Sequence, residues 1–227
     1  MIFITLCQGA KLLYNNLVRT SSDIFSKGGI IKYKKNDTIL SPKISPRGIY
    51  QIKSGFVYSY SLTSDYKKRI QSILKPGEIF PLLWAIAHSP QRFYTKALTD
   101  VTLSIISKDL FLAKLYKDKD LTRRLIEIFA EYLNMYVERV ENLELKTSRK
   151  KIIGRILHFS SRFGVKKNGE IYIQIPVTHN LIAQSINLSR ENVTRELSKL
   201  EKEKLINFKK GKLAILDLKR LKDEIDN

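Results

Sequence analysis

The stretch "VTHNLIAQSINLSRENVTRELSKL", Val177 to Leu200, decides the fold. Thr178 is a hydroxyl placed to cap the segment "HNLIAQSI", whose Leu181, Ile182 and Ile186 recur at the spacing of a one-sided helix. Asn187 follows where the chain has to turn, and asparagine enters the left-handed conformation more readily than most non-glycine residues. Ser189 then caps a second helix. On a wheel started at Arg190, Val193, Leu197 and Leu200 fall at about 300°, 340° and 280°, whereas Thr194, Glu191 and Arg195 fall at about 40°, 100° and 140°. The second helix therefore has a dry side and a charged side.

Beyond it, "LINFKKGKLAILD" reads as two strands turning at Lys210 and Gly211, a basic hairpin suited to a phosphate backbone. Helix, three-residue turn, helix and two-stranded wing together form the pattern of a winged helix-turn-helix, with the second helix offered to a major groove. Arg190 lies beside the positive end of its helix, a placement that costs about 0.3 to 1 kcal/mol. Contact with a base offsets that: arginine can bond two acceptors on guanine and glutamate can accept from cytosine, each contact discriminating by about 1 to 3 kcal/mol. Arg190, Glu191 and Arg195 are the candidate base readers. A simpler use of Glu191 and Arg195, four apart, is a surface ion pair of about 0.2 to 0.5 kcal/mol, and both uses are compatible.

Composition points the same way. The chain has 227 residues, enough for two cores, and a formal net charge of +19. Such an excess attracts polyanions, nucleic acid first and an anionic membrane surface second. The single cysteine, Cys7, excludes a disulfide within the chain and a four-cysteine zinc or iron–sulfur site, and it fits a reducing cytoplasm. The apolar start "MIFITLCQGAKLL" lacks a preceding basic region and is too short to span a bilayer, so it reads as ordinary structure or a start-site artefact, and no membrane partner is expected.

A short helical patch, "KLLYNNLV", lies in the lead-in before Gly28. From Gly28 to Ser107 the chain shows short β-rich runs broken by turn residues: "GIIKYKK", "TILS", "GIYQIKSGFVYSYSL", "KRIQSILKPGEIF", "YTKALT" and "VTLSIIS". These predict a closed or double-sheet β domain over 1–107. A long helical pattern occupies 108–147, with Leu121, Leu125, Ile128, Phe129, Tyr132, Tyr136, Val140 and Leu143 mostly three or four apart. A helix of that length often pairs with its own copy, so this stripe is the candidate dimer seam; the alternative is a helix lying along its own β domain. A further helix, "SRKKIIGRILHFSSRFG", opens the last domain, 148–227. The fold class is α+β.

The segment from Val177 to Leu221 resembles the DNA-binding domain of the cyclic-AMP receptor protein superfamily, the Crp/Fnr regulators. "GIYQIKSGFVYSYSLTSDYKKRIQSILKPGEIF" resembles that family's β-roll. The resemblance covers most of the chain from about Gly28 and implies a homodimeric transcription regulator of double-stranded DNA with RNA polymerase as a protein partner. In members that read a TGTGA-like half-site the recognition helix carries arginine, glutamate and arginine, matched by Arg190, Glu191 and Arg195. Thr178, Ser189 and Asn192 match positions that touch phosphate, and His179 matches a basic phosphate contact in some members. Thr194 and the wing lysines Lys209, Lys210 and Lys212 complete the expected backbone contacts. Two such helices in a dimer enter successive major grooves about 34 Å apart, so the expected site is an inverted repeat.

The effector side departs from the family. The cyclic-nucleotide pocket needs a Gly-Glu-Leu turn and an Arg followed by Ser or Thr, but "PGEIF" is followed by Pro81 and Leu82, and Arg92 is followed by Phe93. Losing both charged partners removes several hydrogen bonds of about 1.5 to 3 kcal/mol each, so control by cyclic AMP is not expected. Glu78, Trp84 and Arg92 are the remaining candidates for an effector pocket, and the effector is unknown. His88 alone is a poor case for haem. His88, His158 and His179 are scattered, with no metal spacing and no nucleophile–base pair, so neither an enzyme, a metal nor a cofactor is expected. The competing class is a ligand-sensing or interaction module that binds nucleic acid without sequence choice.

Overall fold

The computed structural model describes residues 24–226; the lead-in patch "KLLYNNLV" and Cys7 lie outside the described residues. The described residues divide into two compact units, one made of residues 24–61 and 71–134, the other of 62–70 and 135–226. The division falls inside a long helix.

Within residues 29–106 eight strands form two antiparallel sheets. One has the order β1 (Gly29–Tyr33), β8 (Val101–Ile106), β3 (Ile49–Ser54), β6 (Ile79–Phe80); the other has β2 (Thr38–Leu40), β7 (Tyr94–Ala97), β4 (Val57–Leu62), β5 (Lys68–Leu74). Each corresponds to one of the β-rich runs of the sequence. Leu40, Tyr50, Ile52, Val57, Leu74, Phe80, Ala97, Val101 and Leu103 form one buried core, in which the Tyr50 and Phe80 rings stack at 5.4 Å. Along β4 both faces are covered: Val57 is buried and so is Tyr60, whose ring stacks on Tyr94 at 5.1 Å.

A second core collects helices α1 (Leu82–Ile86), α2 (Lys108–Lys117) and the start of α3 (Lys119–Glu144) around Ile49, Ile79 and Ile106. Ser107 caps α2, its hydroxyl accepting from the Leu110 N–H at 3.2 Å. Leu121 and Leu125 are buried in this core, and Ile128, Phe129 and Tyr132 pack against it. The first half of the stripe assigned to a dimer seam thus belongs to the chain's own interior, because the helix needs an apolar partner as soon as it begins.

The second unit is built on α4 (Ser148–Phe163), α5 (His179–Ile186) and α6 (Arg190–Lys202), which meet around Ile152, Ile153, Ile156, Phe159, Ile182, Val193, Leu197 and Leu200. A four-stranded sheet of order β11 (Ile206–Lys209), β12 (Lys212–Ile215), β10 (Glu170–Ile173), β9 (Gly164–Lys167) closes it, followed by α7 (Leu218–Asp226). Arg149, in the first turn of α4, ties distant segments together: its Nε donates to Glu224 Oε2 at 2.8 Å and its terminal nitrogens reach Glu203. The hydrogen bond from Arg149 holds the Glu224 carboxyl below its ordinary value.

A carboxylate depressed in the folded state contributes stability above its unfolded value, about 4.3, and that contribution is lost as pH falls through the folded one. Arg149→Met is expected to lower the stability of the second unit by about 1 to 2 kcal/mol at neutral pH, since the pairs are partly solvated. Its urea midpoint should also fall less steeply than that of the wild type below about pH 4.3, which denaturation series at several pH values check.

Candidate nucleic-acid interface

Two capped helices and one left-handed residue build the site. The Thr178 hydroxyl accepts from the Leu181 N–H at 3.0 Å, and the Ser189 hydroxyl accepts from the Asn192 N–H at 3.2 Å. Between them Asn187 stands at φ 60°, ψ 37°, the left-handed conformation, and the Leu188 N–H returns to the Ala183 carbonyl at 3.1 Å. The two hydroxyls expected at phosphate are thus the two helix caps. Val193, Leu197 and Leu200 are buried, Glu191 and Arg195 are exposed on the side of α6 away from them, and Arg190 is exposed at the first position of the helix.

Arg195 donates to the Asn192 side-chain oxygen, three residues earlier. The asparagine, rather than Glu191, therefore orients this guanidinium. Arg190 keeps its side chain in solvent while its carbonyl accepts from the Thr194 hydroxyl at 2.9 Å. Thr194 Oγ also lies 2.7 Å from His179 Nδ1. A hydroxyl has one proton; given to Arg190, it leaves the Thr194 oxygen to accept from an Nδ1–H. Burial first, and the Arg190 charge second, push the His179 imidazole below its ordinary value, so the ring is neutral at pH 7. With its proton on Nδ1, Nε2 is an acceptor. His179 accordingly ties the first helix of the pair to the recognition helix.

The wing joins the same framework. Its turn places Lys210 at φ 50° and Gly211 at φ 75°, with Lys209 opposite Lys212 in register, so three exposed ammonium groups crowd one tip. The Gly211 carbonyl accepts from the Val177 N–H at 3.0 Å, and the Phe208 N–H donates to Glu201 Oε1 at 2.8 Å. The Phe208 ring packs against His179 with centroids 4.9 Å apart. Every base-reading and backbone candidate of the sequence therefore lies on α5 or its cap, on α6, on the turn between them or on the wing. Sequence reasoning missed Phe208 and Glu201, which hold the wing in place; an aromatic residue and a glutamate at strand and helix positions carry no signal by themselves.

The effector candidates do not combine in this way. Glu78 is buried and its carboxylate accepts from the Lys75 N–H at 2.9 Å, locking the Pro76–Gly77 turn to which β3 also bonds. Trp84 packs on the helical core under the Lys108 ammonium, 4.8 Å from its ring, and Arg92 is exposed.

Along α3 the apolar stripe changes its identity. Tyr136 and Val140 are exposed, as are Ile126, Leu133 and Val137, and Leu133 retains 65% of its surface. Ile126, Leu133 and Val140 are seven apart, and so are Phe129, Tyr136 and Leu143, a heptad spacing. Ile126, Leu133 and Val137 lie outside the stripe expected from spacings of three or four; a 3.5-residue period is the signal that finds Ile126 and Leu133. Among the described residues no three His, Cys, Asp or Glu lie together as for a metal, and no helix is long and apolar enough to cross a membrane.

Residues 30–118 match the cyclic nucleotide-binding domain and residues 150–224 match the Crp-like helix-turn-helix domain. The anaerobic regulatory protein of Bacillus subtilis is 24% identical over 86% of this chain and 83% of its own, and the nitrogen fixation regulation protein FixK of Rhizobium meliloti is 27% identical over 69% and 68%. Among solved structures, CooA of Carboxydothermus hydrogenoformans, in a mutant form, superposes with a TM-score of 0.75 at 20% identity, covering 90% of each chain. FixK2 of Bradyrhizobium japonicum gives 0.74 at 22%, covering 86% of this chain and 96% of its own. The chain belongs to the Crp/Fnr family of transcription regulators, a family of DNA-binding proteins and not of enzymes.

Asn187→Val is expected to destabilise the second unit by about 1 to 2 kcal/mol, because a β-branched residue resists the left-handed conformation, while Asn187→Gly keeps wild-type stability. Equilibrium unfolding of the two variants followed by circular dichroism checks the difference.

Proposed function

We propose that the protein is a homodimer that binds an inverted repeat of TGTGA-like half-sites in the cytoplasm and regulates transcription without cyclic AMP, with RNA polymerase as its protein partner. The observation that carries this reading is the exposed trio Arg190, Glu191 and Arg195 on a capped helix whose opposite side is buried. Arg190 and Arg195 read guanines, and Glu191 reads a cytosine. Thr178, Ser189, Asn192 and Thr194, with Lys209, Lys210 and Lys212, face the phosphates; His179 sets the angle of the reading helix. Neutral His179 has only a lone pair to offer a phosphate, so a contact there takes up a proton.

The exposed ridge of Ile126, Leu133, Tyr136, Val137 and Val140 supports pairing through α3. Independence from cyclic AMP is supported by Pro81 and Leu82 in the place of the ribose-binding turn, and by the exposed Arg92 followed by Phe93. A domain division at 107 and 147 serves this reading as effector-like domain, dimer helix and DNA-binding domain.

Selection from random duplexes at physiological salt tests the whole: an inverted repeat should be enriched, and absence of one overturns the proposal. Arg190→Ala and Arg195→Ala should each weaken the selected site by about 1 to 3 kcal/mol and relax one base pair, whereas Lys209→Ala should weaken all duplexes alike and flatten the salt slope by about one. Leu133→Glu should convert the dimer to monomer in analytical ultracentrifugation and abolish binding to the repeat while the chain stays folded; a dimeric variant would place the seam elsewhere.

A further inference from the structure

Most charges on the DNA-reading face of the second unit are fixed at neutral pH: Arg190, Arg195 and the wing lysines are cations and Glu191 is an anion. His179, the first residue of α5, is different, because an imidazole changes its charge in that range. Its neighbours decide which nitrogen changes. Thr194 Oγ lies 2.7 Å from Nδ1 and gives its own proton to the Arg190 carbonyl at 2.9 Å, so Nδ1 keeps a hydrogen and Thr194 accepts it. The Phe208 ring covers the imidazole from the wing, with centroids 4.9 Å apart. These two contacts hold the ring in place. The residue is half-buried, and its Nε2 has no hydrogen-bond partner among the described residues.

The charged groups around the ring are mostly positive. α5 has no other charge. From α6, Arg190 opposes a second proton and Glu201 favours one, while Glu201 Oε1 is already held by the Phe208 N–H at 2.8 Å. From the wing, Lys210 and Lys212 flank Gly211, whose carbonyl accepts from the N–H of Val177, two residues before the ring. The free protein therefore meets DNA with a neutral imidazole, held by burial first and Arg190 second below its ordinary value of about 6.5. Opposite a phosphate oxygen, the bare lone pair of Nε2 repels. A proton there turns two facing acceptors into a charge-assisted hydrogen bond, and the phosphate charge itself favours that proton.

We propose that His179 contacts the duplex backbone only with a second proton, on Nε2, so that binding takes up one proton per half-site and tightens as the medium becomes more acid. This contact rests on the reading of α5, α6 and the wing as the DNA-binding face. In the complex the imidazole holds its proton to a higher pH than in the free protein. Affinity is therefore lowest above the bound value, rises as pH falls between the two, and is level below the free one. A ring that only braced α5 against α6 would be neutral in both states and would give no such slope.

Binding of the full chain to two duplexes of equal length, one carrying the selected repeat and one of mixed sequence, is followed by fluorescence anisotropy from pH 8 to pH 5.5 at fixed ionic strength. Wild type is compared with His179→Asn, which keeps a donor for Thr194 but does not titrate, and with His179→Arg, a permanent cation. The wild type should bind about tenfold more tightly at pH 6 than at pH 8. His179→Asn should lose most of that difference and stay at the alkaline affinity, and His179→Arg should bind tightly at both ends. Calorimetry in two buffers of different ionisation enthalpy should find net proton uptake by the wild type that is absent in His179→Asn. A phosphate contact is blind to sequence, so the mixed duplex shows the slope even where no repeat is selected, which separates failure of this contact from failure of the operator reading. Equal pH slopes in the wild type and His179→Asn, or no proton uptake by the wild type, overturn the proposal. Should His179→Asn fail to fold, titration of the His179 imidazole by nuclear magnetic resonance in the wild type, free and bound to the mixed duplex, decides: a higher value in the complex supports the contact, and an unchanged one overturns it.

Discussion

Burial of Val193, Leu197 and Leu200 is the constraint on which the DNA-binding unit depends. These three side chains fix the rotation of α6 about its own axis, and rotation alone decides which residues face outward. Had the stripe been displaced by one position, a rotation of about 100°, Glu191 and Arg195 would no longer share a face with the exposed end of the helix. The caps at Thr178 and Ser189 and the left-handed Asn187 then fix where the helix starts and the angle at which it leaves its neighbour. Packing sets the orientation, hydrogen bonds set the ends, and the charged residues are free to serve a partner.

Much of this was legible before any coordinates. The eight strands within residues 29–106 lie where alternating β-branched runs and turn residues put them, and Gly211, Asn187 and the two hydroxyl caps identify their turns by chemistry that depends on neighbours close in sequence. What was not legible depends on contacts distant in sequence. The bond between Arg149 and Glu224 spans 75 residues, and the packing of Phe208 on His179 spans 29; no periodicity announces either. The same limitation explains the stripe on α3. Leu121 and Leu125 answer to the β domain and Leu133 and Val137 to solvent, and a helix that changes its apolar face part-way along gives a composite pattern that a single period blurs.

The two units also differ in what their polar groups do. In the DNA-binding unit, side chains that could serve a ligand stand exposed at the ends of a rigid frame. In the first unit Glu78 closes a turn and the Lys108 ammonium covers Trp84. A carboxylate occupied by a backbone N–H and an indole under a cation are stabilising elements of a domain fold, which fits the proposed independence from cyclic AMP.

The wing, the reading helix and the chain around the start of α5 are fastened to one another at three points: Val177 to Gly211, Glu201 to Phe208, and His179 lodged between Thr194 and the Phe208 ring. A piece so bound has few internal degrees of freedom, and that shapes how its preference can drift over evolutionary time. Reorienting the helix to suit a new sequence would disturb all three fastenings at once, so most such changes would be lost to instability. Substitution of single exposed side chains disturbs none of them. On the proposed reading of the operator, divergence in what such a protein recognises accumulates at Arg190, Glu191 and Arg195, one letter at a time, while the angle of approach stays inherited.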